Sequence, residues 1–459
     1  MDATRTCAPF ARADPVTIEI DAPSLAFRAD RYLADLHAAD LLRTNGKVRQ
    51  VIGTVIESNG PPMSIGETAQ IIYKRSAEPV LAEAVGFRDS KVLLMPLGDI
   101  GGIAAGSEVV ALGHPLQIGL TSGLLGRVLD GLGRPIDGKG RILDATAAEI
   151  TGLPPNALLR RRVTEPLGIG VRSIDGLLSC GKGQRVGIFS GSGVGKSTVL
   201  GMIARNTSAD VNVIALVGER GKEVRDFIER DLGEAGLKRS VVIVATSDQP
   251  ALVRIKAAYV ATRIAEFFRD AGLDVMLMMD SVTRFAMAQR EVGLAIGEPT
   301  TTRGYTPSVF AALPKLLERA GTSETGTITA LYTVLVDGDD LNEPVADAVR
   351  SILDGHIVLS RKLAAANQYP AVDVLASVSR VMPDVVSERH FKAASNIRDL
   401  MATYREAEDL INIGAYVAGS NPRVDLAIAR FDAIKTFLKQ DIYEKSSFAQ
   451  AESAVTTLG

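Results

Sequence analysis

The sequence predicts an α/β chain in three successive parts: a small β-barrel, a core built on a mostly parallel sheet, and a C-terminal helical domain. Three observations carry this. A glycine-rich run, Gly191-Ser192-Gly193-Val194-Gly195-Lys196-Ser197-Thr198, stands between the apolar stretch Val186–Phe189 and the helix-compatible stretch Val199–Ala204. From about Pro155 to Pro383 strand-like and helix-like segments alternate, as they do when helices cover both faces of a parallel sheet. After Val385 the strand signal stops and only helical periodicity remains.

The chain has 459 residues, 46% of them hydrophobic and 23% charged. That is too long for one ordinary core and suggests several domains. A net charge of −3 gives no polybasic footprint for nucleic acid or anionic lipid. Cys7 and Cys180 are far apart and form no metal-binding spacing, which fits a reducing compartment without a disulfide framework. The N-terminus has no apolar stretch of the kind found in a signal peptide, and no uninterrupted apolar run reaches transmembrane length. Any membrane association is therefore expected to be peripheral.

Residues 1–45 read as an N-terminal extension with several prolines. Within it, Phe27–Leu42 can form a short amphipathic helix, either a docking helix for a partner or a connector packed on the next domain. Residues 46–115 carry short alternating runs between Gly and Pro turns, among them Val48–Ile52, Ile71–Tyr73, Val85–Phe87 and Lys91–Met95, and predict the barrel. The turn-rich stretch Leu125–Gly138 joins the barrel to the α/β core. Residues 116–383 are expected to form the α/β domain, with strands at Arg185–Ser190, Val211–Val217, Ser240–Ala245, Val275–Met279, Gly326–Val336 and Gly355–Leu359. Residues 384–459 form the helical domain. Helices are expected over Phe391–Leu410 and Val424–Leu438, interrupted by Gly414, Gly419 and Pro422.

A strand, a glycine-rich turn and a helix in that order make a phosphate cradle. Glycines let successive backbone N–H groups point inward, the helix N-terminus adds its positive end, Lys196 reaches the β/γ-phosphates, and Ser197 can bind Mg²⁺. The strict pattern has Gly six residues before the lysine; Ser190 stands there instead. A second apolar strand, Val275–Met279, ends in Asp280, the placement that holds Mg²⁺ through water beside the loop. Ser281 follows it, so the base that activates water must come from another strand end. Val213–Gly218 supplies Glu219 for that role and Arg220 as a γ-phosphate contact. His37, His114, His356 and His390 share no ligand spacing and read as structural.

Several segments together resemble the rotary-ATPase-like group. These are Gly191–Ser197, Gly218-Glu219-Arg220-Gly221, Asp280–Ala286, Arg303–Ser308 and Asn367–Leu375. Within that group the chain looks most like the flagellum-specific and type III secretion export ATPases, on Gly338–Pro344 and Leu353–Leu363. The resemblance implies a RecA-like P-loop NTPase core binding ATP and Mg²⁺. It implies that Arg380, in Ser377-Val378-Ser379-Arg380, reaches a neighbouring subunit's nucleotide, and that Tyr369 stacks on adenine, with Tyr416 a second candidate. It further implies a homohexamer at the cytoplasmic face of the inner membrane. The implied partners are a stator-like regulatory protein at the N-terminus, a central stalk protein, the export gate, and export cargo with its chaperones, but no nucleic acid. The function so implied is ATP-driven protein export in flagellar assembly. The alternatives are an injectisome ATPase, an RNA-translocating hexamer, and a non-catalytic nucleotide-binding ring subunit.

Overall fold

Short alternating strands close on themselves at the start of the described chain, which comprises residues 44–73, 78–336, 338 and 340–459 of the computed structural model. β1 (Gly46–Ile52), β2 (Val55–Asn59), β3 (Glu67–Ile72), β4 (Val80–Arg88), β5 (Lys91–Pro96) and β6 (Glu108–Pro115) form a closed barrel in the order β1-β2-β5-β4-β3-β6. Every pairing is antiparallel. Val48, Ile56, Ala69, Ile71, Ala82, Ala84, Val92, Leu94 and Val109 fill its interior, the inward half of a period-2 pattern. Gly46 is required where the barrel closes, because a Cβ there would lie 1.9 Å from the carbonyl oxygen of Gly60. The helix expected over Phe27–Leu42 lies outside the described residues.

Beyond the barrel, β7 (Gln117–Leu120) pairs with β9 (Thr146–Glu149), and β10 (Pro166–Leu167) with β11 (Cys180–Gly181). The main sheet uses β8 (Val128–Asp130), β12 (Arg185–Ser190), β13 (Val211–Glu219), β14 (Ser240–Thr246), β15 (Asp274–Asp280), β17 (Thr327–Leu335), β18 (Gly355–Leu359) and β19 (Val372–Ser379). Their order is β19-β18-β12-β17-β15-β13-β14-β8, with β16 (Gly321–Thr322) hairpinned onto β17. From β18 to β8 all neighbours are parallel, while β19 at the edge and the short β16 beside β17 run antiparallel.

Such strands are buried on both faces and read as continuous apolar runs. In β13, Val211, Val213, Ala215 and Val217 enter one core with the helices Ala251–Asp270 and Val282–Ile296. Ile214 and Leu216 enter the other with the helix Lys196–Asn206. The linker before the core is held by a buried ion pair. Arg319 Nε and Nη2 donate to the two Glu266 oxygens at 2.7 Å each, and Nη1 donates to the Ile150 carbonyl at 2.9 Å.

Of the eight strands on the main path of the sheet, two were not expected. Val128–Asp130 lies in the turn-rich joining stretch, is three residues long, and becomes a strand only because β14 offers it an open edge. Val372–Ser379 carries Asp373, Ser377 and Ser379 and is less fully buried than the central strands, as an edge strand paired on one side is. After β13 the chain forms the helix Gly221–Asp226, a π-helical turn Phe227–Leu232, and the helix Gly233–Lys238, with Gly233 in the left-handed region (φ 67°).

The C-terminal helices are Glu388–Asn412, Pro422–Leu438 and Phe448–Leu458. The first stops before Gly414 (φ 72°), and Pro422 opens the second at a position where its missing N–H costs nothing. They dock on the helix Arg172–Leu177. Gln440 Oε1 accepts from the Arg172 N–H, the Gln440 amide donates to Gly170 O, and His390 Nε2 lies 2.8 Å from Gly176 O. Within that joint, Asp175 is fully buried and accepts the N–H groups of Ile169 and Gly170 at 2.8 Å.

Candidate active site

The loop follows the C-terminal end of β12, and the helix begins at Lys196. Gly193 (φ 79°) and Gly195 (φ 91°) occupy the left-handed region, where a side chain would be strained. Val194 between them is 1% exposed and packs into the core, which anchors the loop. The first N–H groups of the helix have no intrahelical acceptor and are available to an anion. Ser190 has an ordinary φ, so the missing glycine costs nothing in backbone strain, and its carbonyl accepts from Val336 N at 3.1 Å.

β13 and β15 are parallel neighbours, with Leu216 opposite Asp280. Their C-terminal ends therefore bring Glu219 and Asp280 to the same end of the sheet as the loop. Lys196 reaches between them. Its Nζ donates to Asp280 Oδ1 and lies 3.4 Å from Glu219 Oε1. The three side chains are only 12%, 12% and 5% exposed for Lys196, Glu219 and Asp280. Burial opposes the charge on Lys196, but the carboxylates of Asp280 and Glu219 outweigh it and hold the ammonium pKa above its usual value. Burial, reinforced by the charge of Asp280, raises the pKa of Glu219 against the pull of Lys196. One cation between two carboxylates leaves a site whose lysine is charged, aimed and held by groups that can release it.

The remaining expected residues divide. Tyr369 flanks the loop: its Cε1 lies 3.6 Å from where a Cβ on Gly195 would sit, and the residue is 43% exposed. Arg220 pairs with Glu223, its Nη1 3.7 Å from Glu223 Oε1, and 81% of its side chain is exposed. Tyr416 lies in the turn between two C-terminal helices, its hydroxyl 3.0 Å from both Asn421 O and Asp425 Oδ1. Arg380 is exposed, and its N–H donates to Asp354 O. The Asp354 carboxylate in turn accepts from Arg185 N, at the start of β12. Arg380 is thus at the opposite end of the strands from the loop. Six residues of strand separate the two ends, roughly 20 Å at about 3.3 Å per residue.

Three neighbours went unassigned in the sequence. Glu223, in the first turn of the helix Gly221–Asp226, shares a hydrogen bond with Glu219 that helps raise its pKa. Glu219 ends β13 and Glu223 lies in the helix that follows, so their meeting depends on the turn at Arg220 and no periodicity marks it. Arg284 runs its stem over Gly218, where a Cβ would come within 2.9 Å of the Arg284 Cβ, and its Nε is buried without a partner. Thr333 Oγ1 donates to Asp280 Oδ1 at 2.7 Å. No local signal marks Thr333, because the contact depends on strand order.

Taken with these features, the family models that match define a class. The nucleotide-binding domain of the ATP synthase alpha/beta family matches residues 170–379, and that family's beta-barrel domain matches residues 48–113. The C-terminal domain of the type III secretion ATPase EscN matches residues 386–456. The flagellum-specific ATP synthase of Bacillus subtilis (strain 168) is 57% identical over 424 residues, 92% of this chain and 97% of that one. The structure of the assembled ATPase EscN from the type III secretion system of enteropathogenic E. coli superposes with a TM-score of 0.85 at 46% identity. It covers 90% of this chain and 99% of EscN. EscN in complex with its central stalk EscO gives 0.84 at the same identity and coverage. The chain belongs to the family of flagellum-specific and type III secretion ATPases, a family of nucleotide-binding enzymes. Among the described residues, no helix is long and apolar enough to cross a membrane.

Proposed function

We propose that this chain hydrolyses ATP within a homohexameric ring and so energises protein export through the flagellar type III secretion apparatus. The observation that carries the hydrolytic part is Lys196, held at the mouth of the phosphate loop between Glu219 and Asp280. A purely structural nucleotide site has no need of a carboxylate poised beside its lysine. The export part rests on the likeness to the Bacillus subtilis flagellar enzyme.

In this mechanism Lys196 leaves the two carboxylates for the β- and γ-phosphates, and the backbone N–H groups of Gly191–Thr198 surround the phosphate oxygens. Glu219, relieved of the lysine, takes a proton from the attacking water as its oxygen bonds to the γ-phosphorus and the bond to ADP breaks. Tyr369 offers the exposed part of its ring to the adenine. Mg²⁺, when bound, neutralises charge on the β- and γ-oxygens. The described residues contain no cluster of three His, Cys, Asp or Glu side chains for a metal. That suits a cation held mainly by phosphate oxygens, with the Ser197 hydroxyl and, through water, Asp280. Arg380 cannot reach its own loop and serves a neighbour's. Arg220, turned toward Glu223, would have to swing inward to contact phosphate, and Tyr416 serves less readily than Tyr369.

The domain limits proposed are 1–45, 46–115, 116–383 and 384–459. A central stalk protein is the partner with most support, since EscN was solved with its stalk EscO. A stator-like protein at the N-terminal extension, the export gate and cargo chaperones complete the assembly, which works at the cytoplasmic face of the inner membrane. The 46% identity to EscN keeps an injectisome role as the second reading. Phosphate release from ATP by the purified chain, abolished by Lys196→Ala, tests hydrolysis. In the source cell, a Lys196→Ala allele should remove flagellar filaments. Filaments that persist while effector secretion is lost would move the chain to the injectisome branch.

A further inference from the structure

We propose that Thr333 is a positioning residue for Asp280, fixing one carboxylate oxygen so that the other is presented to the metal's water. The inference rests on the assignment of Asp280 to the metal. Thr333 sits on β17 one step beyond the registered pair Met279–Tyr332, directly beside Asp280 at the end of β15. It is fully buried, with Ile188 of β12 on its other flank. A hydroxyl in such surroundings is costly unless it is bonded. Its Oγ1 lies 2.7 Å from Asp280 Oδ1 and 3.2 Å from Met279 O, so its one proton has a carboxylate and a backbone carbonyl to choose between, and the carboxylate is nearer.

Among the described residues, both side-chain hydrogen bonds to Asp280 end on the same oxygen, Oδ1: one from Thr333, the other from Lys196. Lys196 is the mobile one, because binding phosphate takes it away. Thr333 is rigid, on a central strand. After Lys196 leaves, the Thr333 hydroxyl is the remaining donor on Oδ1 and keeps the carboxylate from rotating. Asp280 then meets the metal's water already oriented, and this orientation is the contribution of Thr333. The same strand also holds the turn after Asp280: Leu335 N donates to Thr283 Oγ1 at 2.8 Å. β17 thus braces the metal-side residues at two points.

The test measures Mn²⁺ affinity by electron paramagnetic resonance in the ADP complex, alongside ADP affinity without metal. The full-length chain is compared with Thr333→Val, Thr333→Ser, Thr333→Cys and Asp280→Asn. A hydrogen-bond partner that orients a metal-site carboxylate is worth about 10-fold or more in metal affinity. Thr333→Val, of nearly the same shape, should weaken Mn²⁺ by about 10-fold and leave metal-free ADP affinity unchanged. Thr333→Ser should restore the wild-type value. If Thr333→Val does not fold, the pair Ser and Cys carries the comparison, with Cys, a weak donor, expected to be the impaired one. Wild-type Mn²⁺ affinity in Thr333→Val, or in Thr333→Cys, while Asp280→Asn is weakened, overturns the role of Thr333. Unchanged affinity in Asp280→Asn overturns the metal assignment beneath it.

Discussion

On the proposed role of Glu219 as the base, replacing it by Gln should separate binding from chemistry in this site. The two side chains have nearly the same shape, and the position is only 12% exposed, so the change is one of charge and proton affinity more than of packing. Glu219 lies 3.4 Å from Lys196 Nζ and would compete with phosphate for that ammonium. Opposite charges about 4 Å apart attract by about 4 kcal/mol at an effective dielectric near 20, much of it offset by their burial. Removing one competitor should leave ATP affinity at or above the wild-type level. Turnover should fall about 10²–10⁴-fold, the usual contribution of a positioned base. The pH profile carries a further signature. A base must act deprotonated, and burial with the Asp280 charge raises the pKa of Glu219 above the ordinary 4.5. kcat/KM should therefore fall as pH drops through that raised value, and this acid limb should vanish in Glu219→Gln. Equilibrium binding of a fluorescent ATP analogue and single-turnover hydrolysis, run on the same preparation across pH, read all three quantities. Wild-type turnover in the variant would place the base elsewhere, and a parallel loss of affinity would mean that Glu219 holds the site together instead.

Two other outcomes are expected from the geometry. Because Arg380 lies at the far end of the strands from its own loop, Arg380→Ala and Lys196→Ala should each be nearly inactive alone, with a loss of roughly 10³–10⁵ expected for an arginine finger. Mixing the two variants should restore part of the ATPase activity, and normal hydrolysis by assembled Arg380→Ala would refute the in-trans role. Burial raises the Asp175 pKa from 3.8 to about 7. The folded state then holds this proton more tightly than the unfolded one, so the contribution to stability is full below pH 3.8 and is lost as pH rises toward 7. Between pH 5 and 8 the loss from this one group is about 3 kcal/mol, at 1.36 kcal/mol per unit. Denaturant unfolding at the two pH values should show a correspondingly smaller difference in Asp175→Asn, and an equal difference would exclude Asp175 as the source.

The sequence by itself determined the phosphate loop, the two carboxylate-ended strands and the three-part architecture, because each is written in local chemistry. Gly193 and Gly195 must be glycine to take positive φ, Val275–Met279 is apolar because both faces are covered, and Gly414 with Pro422 marks a break between helices. Tertiary structure alone decided which of these parts meet. Lys196, Glu219 and Asp280 converge because β12, β17, β15 and β13 are adjacent and parallel. No periodicity within a strand encodes the identity of its neighbours. The short β8 and the edge strand β19 exist only where a sheet edge accepts them. The same non-local order puts Thr333 against Asp280 and carries Arg380 to the far end of the strands, while the turn after β13 sends Arg220 into solvent directly beside a half-buried Glu219. Residues adjacent in sequence can face opposite environments and residues far apart can share a proton, because strand register and sheet order are set by the burial of the whole core rather than by any segment of it.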